Sequence, residues 1–141
     1  MKTITIAATL AAFASPVLAE GDAAAGEEQF DRQCVACHVV RDDAGEVLAG
    51  RSARTGPNLY AIEGRVFGAV EDFRYGDAII ALGEAGTAWD EESFVAYVQN
   101  PTAYLREATE DRRARGKMAY QVRDPQQAAD IYAFLATFGA E

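Results

Sequence analysis

The 141-residue chain predicts an all-α fold in a single domain. Its apolar positions recur at helical spacing, and nothing alternates in the two-residue rhythm of a strand. No internal repeat, linker or low-complexity tract divides residues 20–141, which have the length of one domain.

Residues 1–19 read as a secretory signal peptide. Lys2 supplies the positive end, an apolar run extends from Ile4 through Phe13, and Pro16-Val17-Leu18-Ala19 offers small residues for cleavage after Ala19. The run is too short and too rich in alanine to span a bilayer comfortably, and no later segment approaches a transmembrane helix. The mature chain is expected to begin at Glu20.

The first helix starts at Asp22, a good N-cap, and runs toward Cys34. Gly26, Phe30 and Cys34 fall on one face. A glycine inside a helix costs roughly 1 kcal/mol relative to alanine, and is best tolerated where a second helix approaches closely. Residues 39–74, rich in Gly, Arg and Asp, predict a long loop held by something other than its own core. Asp77 to Leu82 is a short helix closed by Gly83. Asp90 caps the next helix, with Glu91 and Glu92 in its first turn, Phe94, Tyr97 and Val98 as its stripe, and Asn100-Pro101 at its end. The last helix has Asp124 as cap and Pro125 in first position. Ala128, Ile131, Leu135 and Phe138 line one side, and Gly139 stops it.

The chemistry is concentrated in Cys34-Val35-Ala36-Cys37-His38, which use every Cys and His of the chain. Two cysteines two apart followed by histidine are the attachment signature of a c-type haem. The thiols add to two vinyl groups, and the adjacent histidine is held under the iron. A disulfide redox pair is the rival, but it wants a βαβ context that is lacking and leaves His38 without a role. A structural zinc site wants four ligands where three exist. Only two methionines occur, and Met1 lies in the segment expected to be removed. A sulfur ligand in the mature protein is therefore Met118, and a His/Met pair suits electron transfer.

Without Lys2, the 13 Lys and Arg become 12 against 22 Asp and Glu, a formal charge of −10. Such a surface disfavours non-specific binding to nucleic acid or to an anionic membrane.

Residues 20–141 resemble a class I cytochrome c, and more closely the bacterial cytochrome c2 family, relatives of mitochondrial cytochrome c. The resemblance rests on Cys34 to His38, Thr55-Gly56-Pro57-Asn58-Leu59-Tyr60, Gly64-Arg65, Phe73-Arg74-Tyr75, Trp89, Tyr97-Val98-Gln99-Asn100-Pro101 and Gly116-Lys117-Met118, in that order. It implies helices and long loops wrapped around one covalently attached haem c, with Cys34 and Cys37 as thioethers and His38 and Met118 as axial ligands. The Pro57 carbonyl would accept from His38, fixing its ring. Tyr75 and Trp89 would hydrogen-bond a haem propionate whose charge Arg65 offsets, although pattern alone makes both aromatics plain core. Tyr97 would lie near the methionine sulfur. Gly26, Phe30, Ile131 and Phe134 match the crossing of the first and last helices.

The chain departs from the mitochondrial relatives by an insertion around Arg106 to Arg115, found in long c2-type members. Residues 42 to 53 also look extended. Lys117 is the only lysine after Lys2, so the usual lysine ring is nearly absent. Arg112, Arg113 and Arg115 beside Lys117 are a candidate docking cluster, with Arg51 and Arg54 before Thr55. Glu107, Glu110 and Asp111 in the same stretch leave a merely solvated loop as the other reading.

The resemblance implies a soluble periplasmic one-electron carrier, not an enzyme, its iron cycling between Fe(II) and Fe(III). Donor and acceptor would be a cytochrome bc1 complex and a photosynthetic reaction centre, terminal oxidase or denitrification enzyme. A monomer that docks transiently is expected. The alternative is a haem enzyme or ligand sensor with an open sixth coordination site, against which Gly116-Lys117-Met118 stands.

Overall fold

The computed structural model describes residues 20–139, so the predicted signal peptide lies outside the described residues. The chain forms α1 (Ala23–Gln33), β1 (Val39–Arg41), β2 (Val47–Gly50), α2 (Asp77–Glu84), α3 (Glu91–Gln99), α4 (Pro101–Ala108) and α5 (Pro125–Ala136).

The crossing of α1 and α5 is the main helix contact of the fold. It works because Gly26 has no side chain: an added Cβ would collide with the carbonyl oxygen of Asp130 and lie 2.8 Å from Phe134 Cβ. Phe30 and Phe134 then meet with ring centroids 5.5 Å apart. Asp130 is buried on α5. Its Oδ1 accepts from Asp22 N–H at 2.9 Å and from Gln126 Nε2 at 3.0 Å, so this carboxylate is satisfied. Helix α3 packs on the same α5, with Phe94 against Tyr132 at 5.4 Å.

The expected caps are in place. Asp22 accepts from the N–H groups of Ala24 and Ala25, and Asp124 from those of Gln126 and Gln127. Asp90 and Ser93 form a reciprocal capping box at the start of α3.

Four expectations about elements are corrected. Residues 39–74 are not wholly loop, because β1 and β2 pair antiparallel with an irregularity between Val40 and Arg41. No alternation announced them: Val39 and Val40 are both buried, while Val47 and Leu48 are both exposed. The chain between them turns at Asp42, whose carboxylate accepts from Glu46 N–H at 2.8 Å. Asn100-Pro101 ends α3 but also starts α4, since the Asn100 side chain accepts from Ala103 N–H at 3.1 Å and Pro101 takes the first turn. Part of the expected insertion is therefore helix. Gly83 does not close α2, which continues to Glu84; it lies inside the helix because a Cβ there would collide with the Phe67 carbonyl. Helix α5 ends at Ala136 rather than at Gly139. Phe138, past its end, still packs edge-on against Phe134 at 5.1 Å, and its carbonyl accepts from Ala61 N–H.

The irregular segment from 55 to 76 is braced from within. Arg65 donates through Nη1 to the Tyr60 carbonyl at 2.7 Å and through Nη2 to the Asn58 carbonyl at 3.0 Å. Asn58 exchanges two hydrogen bonds with the backbone of Arg41, fastening this segment to β1. Trp89 N–H donates to the Arg65 carbonyl, and the Trp89 ring stacks on Phe67 at 3.7 Å. These braces set one wall of a central cavity.

Candidate cofactor site

A predominantly apolar cavity of about 660 Å³ collects the chemistry-bearing residues. Cys34, Cys37, His38, Pro57, Arg65, Tyr75, Trp89, Tyr97 and Met118 all line it, although they span more than eighty positions of sequence.

The C-terminal end of α1 delivers Cys34 as its cap, and the tight turn that follows bonds Cys37 and His38 N–H back to the Cys34 carbonyl at 3.1 and 2.9 Å. Both thiols are free, so they do not form a disulfide. Burial, reinforced by the neighbouring Cys37, pushes the Cys34 thiol up to about 12, which keeps it protonated at neutral pH. Among the described residues no group of three or more His, Cys, Asp or Glu is arranged to hold a metal ion.

His38 Nδ1 lies 2.9 Å from the Pro57 carbonyl oxygen. A carbonyl only accepts, so Nδ1 carries the proton. Burial lowers the His38 pKa, with the Pro57 bond partly opposing it. The ring is therefore neutral at pH 7, and Nε2 is left with a lone pair suited to a metal. Gly56 presses on this ring: an added Cβ would collide with Cε1 and lie 2.6 Å from Nδ1.

Arg65 holds the most telling atom. With both Nη atoms engaged, its Nε is buried and has no partner. A buried orphan donor on a cation is costly, and it calls for an acceptor from a bound group. Tyr75 stands near enough for Arg65 to pull its phenol down, although burial raises it overall. Trp89 meets Tyr97 edge-on at 5.2 Å. Burial, then Tyr75, pushes the Tyr97 phenol up to about 12.

Comparison with known proteins fixes the family. Residues 23–139 match the cytochrome c family. The chain is 57% identical to cytochrome c2 of Rhodovulum adriaticum over 119 residues, covering 84% of this chain and 94% of that one. It is 50% identical to cytochrome c2 of Cereibacter sphaeroides over 131 residues, covering 91% and 90%. The crystal structure of cytochrome c2 from Rhodobacter sphaeroides superposes with a TM-score of 0.83 at 46% identity, covering 86% of this chain and 99% of that one.

The chain belongs to the cytochrome c family, on its cytochrome c2 branch. Its fold is that of class I cytochromes c, its cofactor is a covalently attached haem c, and it is an electron carrier rather than an enzyme. The cavity fits such a group. It has apolar walls for a macrocycle, two free thiols at the right spacing, a neutral imidazole, a thioether, and a buried orphan N–H for a carboxylate.

The remaining predicted positions lie at the rim or outside it. Arg112, Arg113 and Arg115 are exposed, and Arg115 also borders the cavity. Lys117 is exposed, but its ammonium donates to the carbonyls of Arg74 and Tyr75. Sequence reasoning missed Phe67 under Trp89, Asn58 as the fastener to β1, and Gly56 as the seat of His38. None of the three carried a local signal, because each role depends on a contact with a residue distant in sequence.

Proposed function

We propose that the protein is a periplasmic one-electron shuttle, exported by residues 1–19 and mature from Glu20. The haem supplies the electron chemistry, its iron alternating between Fe(II) and Fe(III). Cys34 and Cys37 would hold it by thioethers, and His38 Nε2 and the Met118 sulfur would ligate its iron. Pro57 fixes the imidazole and sustains its basicity. Arg65 Nε, Tyr75 and Trp89 receive a propionate, and Tyr97 packs beside Met118. The observation that carries this reading is one apolar cavity holding both cysteines, a neutral oriented histidine and Met118 together. The donor is a cytochrome bc1 complex, and the acceptor a photosynthetic reaction centre, a terminal oxidase or a denitrification enzyme. Arg112, Arg113 and Arg115 stand at the docking rim.

The test is the visible spectrum and midpoint potential of periplasmically expressed protein, wild type and Met118→Ala. The wild type is expected to show sharp reduced bands, a ferric sulfur-to-iron band and a positive potential. The variant should lose that band, fall in potential and bind added cyanide. An unchanged potential in Met118→Ala would sink the axial assignment. A high-spin wild type would favour an open sixth site.

A further inference from the structure

Residues 115–118 run between two supports. On one side, Gly116 N–H donates to Thr102 Oγ1 at 3.0 Å, tying the segment to the first turn of α4. On the other, Lys117 Nζ donates to the carbonyl oxygens of Arg74 at 3.0 Å and Tyr75 at 3.2 Å. The lysine stem passes Gly76, where an added Cβ would lie 3.7 Å from Lys117 Cγ. Tyr75 and Met118 both line the cavity, so the ammonium joins the two segments that bear them. We infer that Lys117 is a positioning residue, whose clasp on two carbonyls holds Met118 at the cofactor, rather than a free docking charge.

The chemistry of the group suits this task. An ammonium has three protons and no acceptor site. Two of its protons are directed at carbonyls of Arg74 and Tyr75, which lie outside any helix or strand. Bonds from a charged donor are stronger than neutral ones. The neighbouring cations behave differently: the side chains of Arg112, Arg113 and Arg115 make no hydrogen bond to any described residue, and all three are exposed. For Met118 to leave an iron, the segment that carries it must peel from one support. Removing the Lys117 clasp leaves only the Thr102 side intact.

The inference rests on the reading of Met118 as iron ligand, and one titration separates the two. Imidazole is added to the ferric holoprotein, and loss of the sulfur-to-iron band gives its apparent affinity. Lys117→Ala is expected to tighten imidazole binding about tenfold, the scale of a lost charge-assisted hydrogen bond. Lys117→Arg, which can still donate to both carbonyls, should recover most of the difference. The triple Arg112→Ala, Arg113→Ala, Arg115→Ala should bind imidazole as the wild type does. The melting temperature of Lys117→Ala should fall by the equivalent of that tenfold change in the free ferric protein and match the wild type at saturating imidazole, where the clasp is already released, which separates displacement of one ligand from general loss of stability. Wild-type affinity in Lys117→Ala, or equal tightening in the arginine triple, overturns the positioning role while leaving Met118 as ligand. Absence of the band in the wild type overturns both.

Discussion

A few contacts set the state of His38. Its tautomer is set by one acceptor, the Pro57 carbonyl at 2.9 Å, and its protonation by burial. Its orientation depends on the missing side chain of Gly56. Gly56→Ala would place a methyl group against the imidazole, which must then tilt and weaken its bond to Pro57. Overpacking of this kind costs about 1–3 kcal/mol. The holoprotein should denature correspondingly earlier in guanidinium, and its midpoint potential should shift, because the imidazole loses its oriented partner. Wild-type values for both would mean that the 55–58 segment simply moves aside. That Cys34, Cys37 and His38 share one cavity was foreshadowed by a motif of fixed residue type and spacing, and Met118 stood out only as the one methionine besides Met1. Gly56 was not legible as a seat, because its role exists only once the ring lies over it. Nor was the orphan Nε of Arg65, which depends on both Nη atoms being drawn to carbonyls at 58 and 60.

Helix α3 depends on its first turn. Asp90 accepts from Ser93 N–H at 2.8 Å, and Ser93 Oγ accepts from Asp90 N–H at 3.0 Å. The bonds from Ser93 hold the Asp90 carboxyl below its usual range. A depressed carboxylate contributes stability that is fully present above its unfolded pKa and is lost as pH falls through the lower, folded value. Asp90→Ala should cost about 1 kcal/mol, roughly 4 °C in melting temperature for a domain of this size. The gap to wild type should be full at neutral pH and should shrink below the ordinary carboxylate range, around pH 4 and under. A gap that persists undiminished at pH 2 would mean the charge is not what matters. Helices of this kind announce themselves, because capping residue and apolar stripe sit within a few positions of each other. The β1–β2 pair does not, since one strand is buried on both valines and the other exposed on both apolar residues. Helix α4 was hidden by a residue with two duties: Asn100 terminates one helix and caps the next.

Over the whole molecule the charge is uneven. Residues 20–141 carry a formal −10, yet Arg112, Arg113 and Arg115 lie exposed within four positions, close to the cavity rim through Arg115. A partner approaching from a distance meets a net negative body. At separations near the Debye length, about 10 Å at 0.1 M salt, it responds to the local patch instead. An acidic docking face is therefore drawn in only when the rim is presented to it, so the cluster would select orientation as well as raise the encounter rate. Replacing the three arginines with alanine should slow reduction by a cytochrome bc1 complex about tenfold at low ionic strength, the lower end of electrostatic steering. The difference should fade as salt is raised, because exposed charges are screened, and the ferric spectrum should stay unchanged. Stopped-flow rates across a salt series decide it. Equal rates at every ionic strength would assign the cluster to a solvated loop following α4. A deficit that survives high salt would instead point to contacts at short range, with the arginines acting by shape and hydrogen bonding rather than by field.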